Sequence, residues 1–261
     1  MENHIIIPYQ FAYFWGSLYL LAIWLFFYWR LPGIRRIFLF FSLSIVWLGL
    51  IAEYFWFLRD WWHPITITRT TLGIEDFIAS MTHLTIPALL YKYVFSKKVL
   101  KVTLDKFNII NFFSRFSYLL FPLIGLFILL HYCSGIHIAY AFTICMLVST
   151  FFMLCRRPDL VVAAFWSGLL FDLVFLVLYT FGNILSPGVF ESLWDKSVLS
   201  GIRFFNVPVI DYMFYFFWGA SGGIVYEYVF SLRIEKSSGS GLAKDLGILK
   251  KYLLSNIIFQ K

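Results

Sequence analysis

Seven apolar segments, each about the length of a membrane-crossing helix, dominate the chain of 261 residues. A helix needs about 20 mostly apolar residues to cross the hydrocarbon core of a bilayer. We therefore predict an all-α membrane protein with seven transmembrane helices. The segments lie at residues 9–29, 36–58, 75–95, 112–131, 137–155, 160–181 and 208–230.

Composition supports a lipid environment. Hydrophobic residues make up 61% of the chain and charged residues 13%, against about 45–50% and about 25% in soluble domains. The net charge of +7 comes from basic residues between the apolar segments, so the lipid bilayer is the predicted partner and no nucleic acid is expected. The three cysteines, Cys133, Cys145 and Cys155, form no metal-binding spacing, and no phosphate-binding loop is present. No metal and no cofactor are therefore predicted.

The basic residues also predict an orientation. Seventeen of the 21 Lys and Arg residues lie after the first, third, fifth and seventh segments, and only four lie on the other side. Because basic loops stay in the cytoplasm, we expect the N-terminus outside and the C-terminus inside a bacterial or archaeal cell membrane. Residues 97–106 should be cytoplasmic and residues 186–203 external.

The chain contains a weak internal repeat. Residues 73–96 align with residues 208–231 at a constant offset of 135. In each copy an aspartate opens an apolar segment and Tyr-x-Tyr-Val-Phe-Ser closes it. Helices 1–3 and 5–7 are therefore interpreted as two parallel three-helix repeats joined by helix 4, an architecture known in membrane proteins. The predicted boundaries are residues 1–96 for the first repeat, 97–136 for the linking region, 137–231 for the second repeat and 232–261 for a cytoplasmic tail.

The tail has a pattern of its own. Residues 237–241 form a short Ser/Gly linker, and leucines and an isoleucine recur at helical spacing after it, with lysines among them. We expect a basic amphipathic helix on the membrane surface; a helix that binds a partner is the alternative.

Acidic residues inside the apolar segments are the strongest functional signal. A charge at the bilayer centre costs about 2.5–3.5 kcal/mol on insertion scales and is retained mostly for function. Asp76 and Asp211 open the third and seventh segments, where a carboxylate can also serve as a helix cap. Glu53 and Asp172 lie late in the preceding segments and favour an interior site. His83, two turns after Asp76, is interpreted as a packing residue of the bundle.

Two short motifs resemble a known family. Gly73-Ile74-Glu75-Asp76 and Pro208-Val209-Ile210-Asp211 are similar to the Pro-x-Glu-Glu/Asp motif that opens the third helix of each unit in the lycopene cyclase domain, a membrane carotenoid cyclase. The first copy has Gly73 in place of proline, and the second has Ile210 in place of an acid. The chain thus resembles a diverged member of this family.

The resemblance implies an isomerase, or intramolecular lyase, of carotenoid biosynthesis. Such an enzyme protonates a terminal double bond of a linear polyene, the cation closes a six-membered ring, and a proton is lost. Asp76 and Asp211 are the expected acid/base pair, with Glu75, Glu53 and Asp172 as further catalytic candidates. Held close together, the two aspartates should retain one proton between them.

Other functions remain open at this point. Two repeats and interior acids also fit a small proton-coupled transporter, and a non-catalytic membrane assembly subunit is a third candidate. A retinal photoreceptor is excluded, because the seventh segment contains no lysine to form a Schiff base. The sequence does not determine the substrate polyene or the oligomeric state.

Overall fold

The computed structural model describes residues 7–95, 97–98, 109–195, 201–205, 207–230 and 235–236. The helices are α1 (Tyr9–Arg30), α2 (Arg35–Ala52), α3 (Leu58–Asp60), α4 (Ile74–His83), α5 (Thr85–Val94), α6 (Ile109–Ile128), α7 (Ile138–Arg156), α8 (Val161–Leu185), α9 (Val189–Leu193) and α10 (Val209–Phe230). Two π-helical turns, Glu53–Phe57 and Leu129–Cys133, extend α2 and α6, and 3₁₀ turns at Pro32–Ile34 and Pro158–Leu160 precede α2 and α8. The strands are β1 (Lys97–Lys98), β2 (Arg203–Phe204), β3 (Val207–Pro208) and β4 (Glu235–Lys236).

All seven predicted apolar segments coincide with helices. Within the described residues, five helical stretches are long and apolar enough to cross a membrane. The all-helical, membrane-compatible fold is therefore confirmed, whereas membrane crossing by the third and seventh segments stays a prediction. The five stretches are Tyr9–Arg30, Phe38–Asp60, Phe112–Cys133, Ile138–Arg156 and Pro158–Leu185.

The third predicted helix is broken in two. α4 ends at His83 and α5 begins at Thr85, with Leu84 between them. Pro87 lies in the first turn of α5 and has no N–H with which to bond the carbonyl of His83, so the hydrogen-bond ladder is interrupted there. The third predicted segment is thus two helices, whereas α6 continues as one helix through Pro122.

The outside of the bundle is strongly apolar. Large hydrophobic side chains are exposed on α1, α2, α6, α7 and α8, among them Trp29 at 68%, Trp47 at 64%, Phe121 at 68% and Phe151 at 67%. A soluble monomer rarely exposes apolar patches of this extent. Helix α6 is the most peripheral of the candidate spans, with only 11% of its apolar window buried. These surfaces suit contact with lipid.

The interior is organised around α10. This helix packs against α8, α7 and α5, while α4 packs against α1 and α2. Glycines allow the closest approach: a Cβ on Gly168 would lie 2.7 Å from the Phe216 carbonyl oxygen, and one on Gly219 would lie 2.7 Å from Cβ of Phe171. Small residues of this kind let helix backbones meet closely, which favours helix association in membranes.

The connections that follow the second and sixth apolar segments meet at one end of the bundle. Trp62 and Trp194 form an antiparallel backbone bridge, flanked by hydrogen bonds from His63 N–H to Leu193 and from Asp195 N–H to Trp61. We call this end, defined by Trp61, Trp62 and Trp194, the tryptophan end. At the far ends of α5 and α10, β1 pairs with β4. The two halves of the chain thus meet at both ends.

Several residues related by the offset of 135 touch each other. Lys92 Nζ lies 2.5 Å from Glu227 Oε1, and both side chains are almost fully buried. The ring of His83 lies 6.3 Å from that of Trp218, centroid to centroid. The segment from His83 to Lys92, at the end of α4 and in α5, thus faces the corresponding residues 218–227 of α10.

The proposed tail helix, its linker and most of residues 97–106 lie outside the described residues.

Candidate functional site

A cavity of about 380 Å³ lies inside the bundle, and the tryptophan end forms part of its wall. Its wall is almost entirely apolar and aromatic, with side chains from α1, α2, α4, α6, α7, α8 and α10. Ile51 of α2 and Ile124 of α6 line it and are also exposed on the outer surface, at 47% and 40%. The cavity therefore reaches the apolar exterior between α2 and α6. We call this edge the α2–α6 opening.

Glu53 lies in the cavity wall at the first residue of the π-helical turn. The extra residue per turn in such a segment rotates the chain locally, and these turns are frequent at functional sites. Only 7% of Glu53 is exposed. Its Oε1 accepts a hydrogen bond of 2.8 Å from Nε1 of Trp62, whereas Oε2 accepts none from the described residues. One carboxyl oxygen is thus free to carry a proton.

Asp211 enters the same cavity from α10 in the other half of the chain. It is fully buried. Its Oδ1 lies 3.3 Å from Nε1 of Trp61, and its Oδ2 lies 3.0 Å from Nε1 of Trp194. Both oxygens are therefore occupied by indole donors from the tryptophan end. Two donated hydrogen bonds stabilise the ionised form of a carboxyl group, whereas complete burial opposes ionisation.

Asp76 has different partners and does not line the cavity. Its Oδ2 accepts the backbone N–H of Gly73 at 2.6 Å, which caps α4, and its Oδ1 accepts the hydroxyl of Tyr13 at 2.7 Å. Tyr13 itself does line the cavity, with its ring 4.7 Å from that of Trp62. Asp76 thus reaches the site through Tyr13. Among the described residues, no hydrogen bond joins Asp76 to Asp211.

Glu75 fixes the connection between α3 and α4. Its Oε1 accepts the N–H of Ile67 at 2.6 Å, and its side chain is fully buried beside Thr66. Its Oε2 is buried and accepts no hydrogen bond from the residues that the structure describes. Glu75 is directed at the loop, whereas Asp76 is directed at Tyr13. The two neighbouring carboxyl groups therefore have different surroundings.

Asp172 lies apart from the other acids. It is half-buried on α8 and does not line the cavity. Its Oδ1 is buried and has no hydrogen-bond partner within the described part of the chain. The structure therefore brings only some of the candidate acids together: Glu53 and Asp211 face the cavity, Asp76 lies behind Tyr13, and Asp172 is outside it. Whether any of them is catalytic stays a prediction.

His83 is a cavity residue. Its Nδ1 lies 2.5 Å from the carbonyl oxygen of Ala79, which can only accept, so Nδ1 carries the proton. Its ring stands 5.3 Å from that of Phe175 and 6.2 Å from that of Tyr215. Phe175 and Tyr215 are themselves stacked, 3.5 Å apart. The site thus contains a cluster of aromatic rings around His83.

The sequence pointed to the acids but not to their partners. These partners come from three distant parts of the sequence, Tyr13, the pair Trp61 and Trp62, and Trp194, and they meet only through the fold. The adjacent Trp61 and Trp62, directly after the second apolar segment, were the one available signal. Within the described residues, no group of three or more His, Cys, Asp or Glu side chains could hold a metal ion.

The helices and the cavity together define a class: an α-helical, membrane-compatible protein that encloses an aromatic chamber with buried carboxylic acids. Residues 137–229 match the family model described as lycopene cyclase. The match bears out, over those residues, the resemblance seen in the sequence. The matched residues include Asp172, Trp194 and Asp211, whereas Glu53 and Asp76 precede them. No curated protein and no solved structure matches the chain.

Proposed function

We propose that the protein is a carotenoid cyclase that closes a ring at the end of a linear, lycopene-type polyene within the membrane. One observation carries the proposal: Glu53 and Asp211, from opposite halves of the chain, face a single apolar, aromatic cavity. Ionisable residues inside a membrane protein destabilise it and are therefore retained mostly for function. The family domain at residues 137–229 supports the same chemistry.

The reaction needs a proton but no net oxidation. The acid adds a proton to one carbon of the terminal double bond, which leaves a cation on the other. The electron pair of a second double bond then forms the ring bond, and the positive charge moves to the carbon left outside that bond. Loss of a neighbouring proton forms the ring double bond. General acid catalysis of this kind contributes about 10²–10⁴-fold.

The two cavity acids have contacts suited to different roles. Glu53 has a free Oε2 and is the proposed proton donor. Asp211 holds an indole N–H on each oxygen and, as an anion, faces the developing cation. Asp76 orients Tyr13 and caps α4. The faces of aromatic rings, including Tyr215 and Trp218, attract a cation.

The cavity suits one end of the substrate. Its volume of about 380 Å³ is near the lower limit of ligand pockets, roughly 300–1,000 Å³. A long polyene would therefore place an end group inside and leave its remainder in the bilayer. The α2–α6 opening supplies a route from lipid that crosses no polar surface.

We propose the seven-helix, two-repeat architecture as well. Three observations support it: contact between Lys92 and Glu227 at the repeat offset, the bridge between Trp62 and Trp194, and the pairing of β1 with β4. Each joins corresponding parts of the two halves. A twofold-like axis along the bundle accounts for all three contacts.

Expression in a lycopene-accumulating bacterium, followed by pigment chromatography, tests the function. The wild-type chain should convert lycopene to cyclised products. Glu53→Gln and Asp211→Asn should each abolish product, while the protein remains folded in the membrane. Asp76→Asn should retain product, because its amide oxygen can still accept the Gly73 N–H while its amide NH2 donates to the hydroxyl oxygen of Tyr13.

The opposite pattern has a clear meaning. Loss of product in Asp76→Asn, with activity kept in Glu53→Gln, would restore Asp76 and Asp211 as the acid pair. Unchanged lycopene with folded wild-type protein would refute the cyclase. Proton-driven solute uptake into vesicles by that protein would then indicate a transporter.

A further inference from the structure

His83 is the one basic side chain among the cavity-lining residues of the described structure. It is the last residue of α4, seven residues after Asp76, so it lies about 10 Å deeper along the helix axis. Trp218, its counterpart at the offset of 135, is seven residues after Asp211. Asp211 and the imidazole of His83 therefore line the cavity at different depths.

The tautomer of His83 is fixed by its hydrogen bond. Nδ1–H donates to the Ala79 carbonyl oxygen at 2.5 Å. Nε2 consequently has a lone pair, and it makes no hydrogen bond with a described residue. The ring lies among Phe171, Phe175, Tyr215 and Trp218 at centroid distances of 5.3–6.3 Å. A base is thus presented in the part of the cavity best suited to a cation.

We propose that His83 is the catalytic base that removes the proton from the cyclised cation, an inference that rests on the proposed cyclase function. Nε2 takes a hydrogen from a ring carbon next to the positive centre. The electron pair of that carbon–hydrogen bond becomes the ring double bond. The imidazolium then returns its proton to the Glu53 carboxylate, so the cycle neither gains nor loses a proton.

The arrangement also assigns specificity. The same cation yields different double-bond isomers, according to which neighbouring carbon loses its hydrogen. The ring isomer is therefore set by which carbon lies against Nε2, and the stacked pair of Phe175 and Tyr215 restricts how the end group can turn there. His83 is thus a specificity-determining residue as well as a base.

Product analysis of His83 variants tests the proposal. His83→Asn retains a side-chain amide that can donate to Ala79 but has no basic nitrogen, and His83→Phe keeps a ring. In both, total ring formation should fall at least tenfold. The residual products should shift to other double-bond isomers or to a ring alcohol, formed when water adds to the cation and then loses a proton. His131→Asn, outside the cavity lining, is the matched control and should behave like the wild type.

A third variant separates chemistry from packing. His83→Ala opens an imidazole-sized space at the cavity wall, and added imidazole should restore the original ring isomer in isolated membranes. Wild-type product composition in the Asn and Phe variants, at full or reduced yield, would overturn the role of His83. Wild-type protein that forms no ring at all would instead refute the cyclase itself, so the two failures are distinguishable.

Discussion

Gly73 shows how a departure from the family motif is accommodated. A Cβ at this position would lie 2.4 Å from Glu75 Oε2 and 2.7 Å from Cβ of Thr66. The N–H of Gly73 also donates to Asp76. A proline could satisfy neither condition, because it has a ring at Cβ and no N–H. The absence of proline here follows from the way Glu75 holds the loop.

Restoring proline should therefore damage the protein. We expect Gly73→Pro to destabilise the fold by about 1–3 kcal/mol, the cost of an unsatisfied buried acceptor, plus the cost of the clash. The midpoint of thermal unfolding in detergent measures the effect. Gly125→Ala is the control, because no atom lies within 4 Å of its added Cβ, and it should be neutral or slightly stabilising. An equal midpoint for Gly73→Pro and wild type would contradict this account.

At the residue scale, sequence reasoning reached the acids but not their contacts. Apolar segments make a buried Glu53 or Asp211 conspicuous because a charge is rare there. Nothing in a linear pattern indicates that Asp76 is held by Tyr13, 63 residues away, or that Asp211 is held by Trp61, 150 residues away. Those partners depend on how the helices pack.

Among the helices, α5 and α10 share a buried ion pair. Lys92 and Glu227 are 3% and 2% exposed and lie 2.5 Å apart. The ammonium also donates to the carbonyl oxygen of Ala88 and lies 5.4 Å from the centroid of the Tyr226 ring. Desolvation offsets much of the attraction within such a pair, but removing one partner leaves a buried charge uncompensated.

We therefore expect single and double substitutions to differ. Lys92→Met alone should destabilise the protein by about 3–5 kcal/mol, whereas Lys92→Met with Glu227→Met should recover most of that loss. Glu191→Gln, which breaks the more exposed pair with Arg203, should cost less than about 1 kcal/mol. Thermal unfolding of the four proteins in detergent makes the comparison. A double variant no more stable than Lys92→Met alone would show that the two residues do not act as a pair.

Helical periods and lengths were enough to predict all seven helical segments, because lipid-facing helices need long apolar runs. The details at the site were less accessible. The break at Leu84 follows from Pro87, but the π-helical turn at Glu53–Phe57 has no comparable signal. That turn depends on the packing of its tryptophan and phenylalanine side chains against neighbouring helices.

For the whole molecule, the predicted orientation places the tryptophan end outside the cell. The distribution of basic residues motivates it, and the exposed loop residues of the structure allow a sharp test. In a cysteine-free background, Glu191→Cys at the tryptophan end should react with a membrane-impermeant reagent in intact cells. Asp159→Cys, exposed between α7 and α8, should react only after the membrane is opened. The reverse pattern would invert the topology.

For the proposed cyclase, the α2–α6 opening at Ile51 and Ile124 determines how reactant abundance should be counted. A polyene that arrives through hydrocarbon is present per lipid molecule rather than per litre of buffer. Inert phospholipid added at fixed protein and fixed polyene therefore dilutes the reactant in two dimensions and slows turnover, whereas added buffer changes nothing. The physiological variable for such a protein is the mole fraction of pigment in its own leaflet.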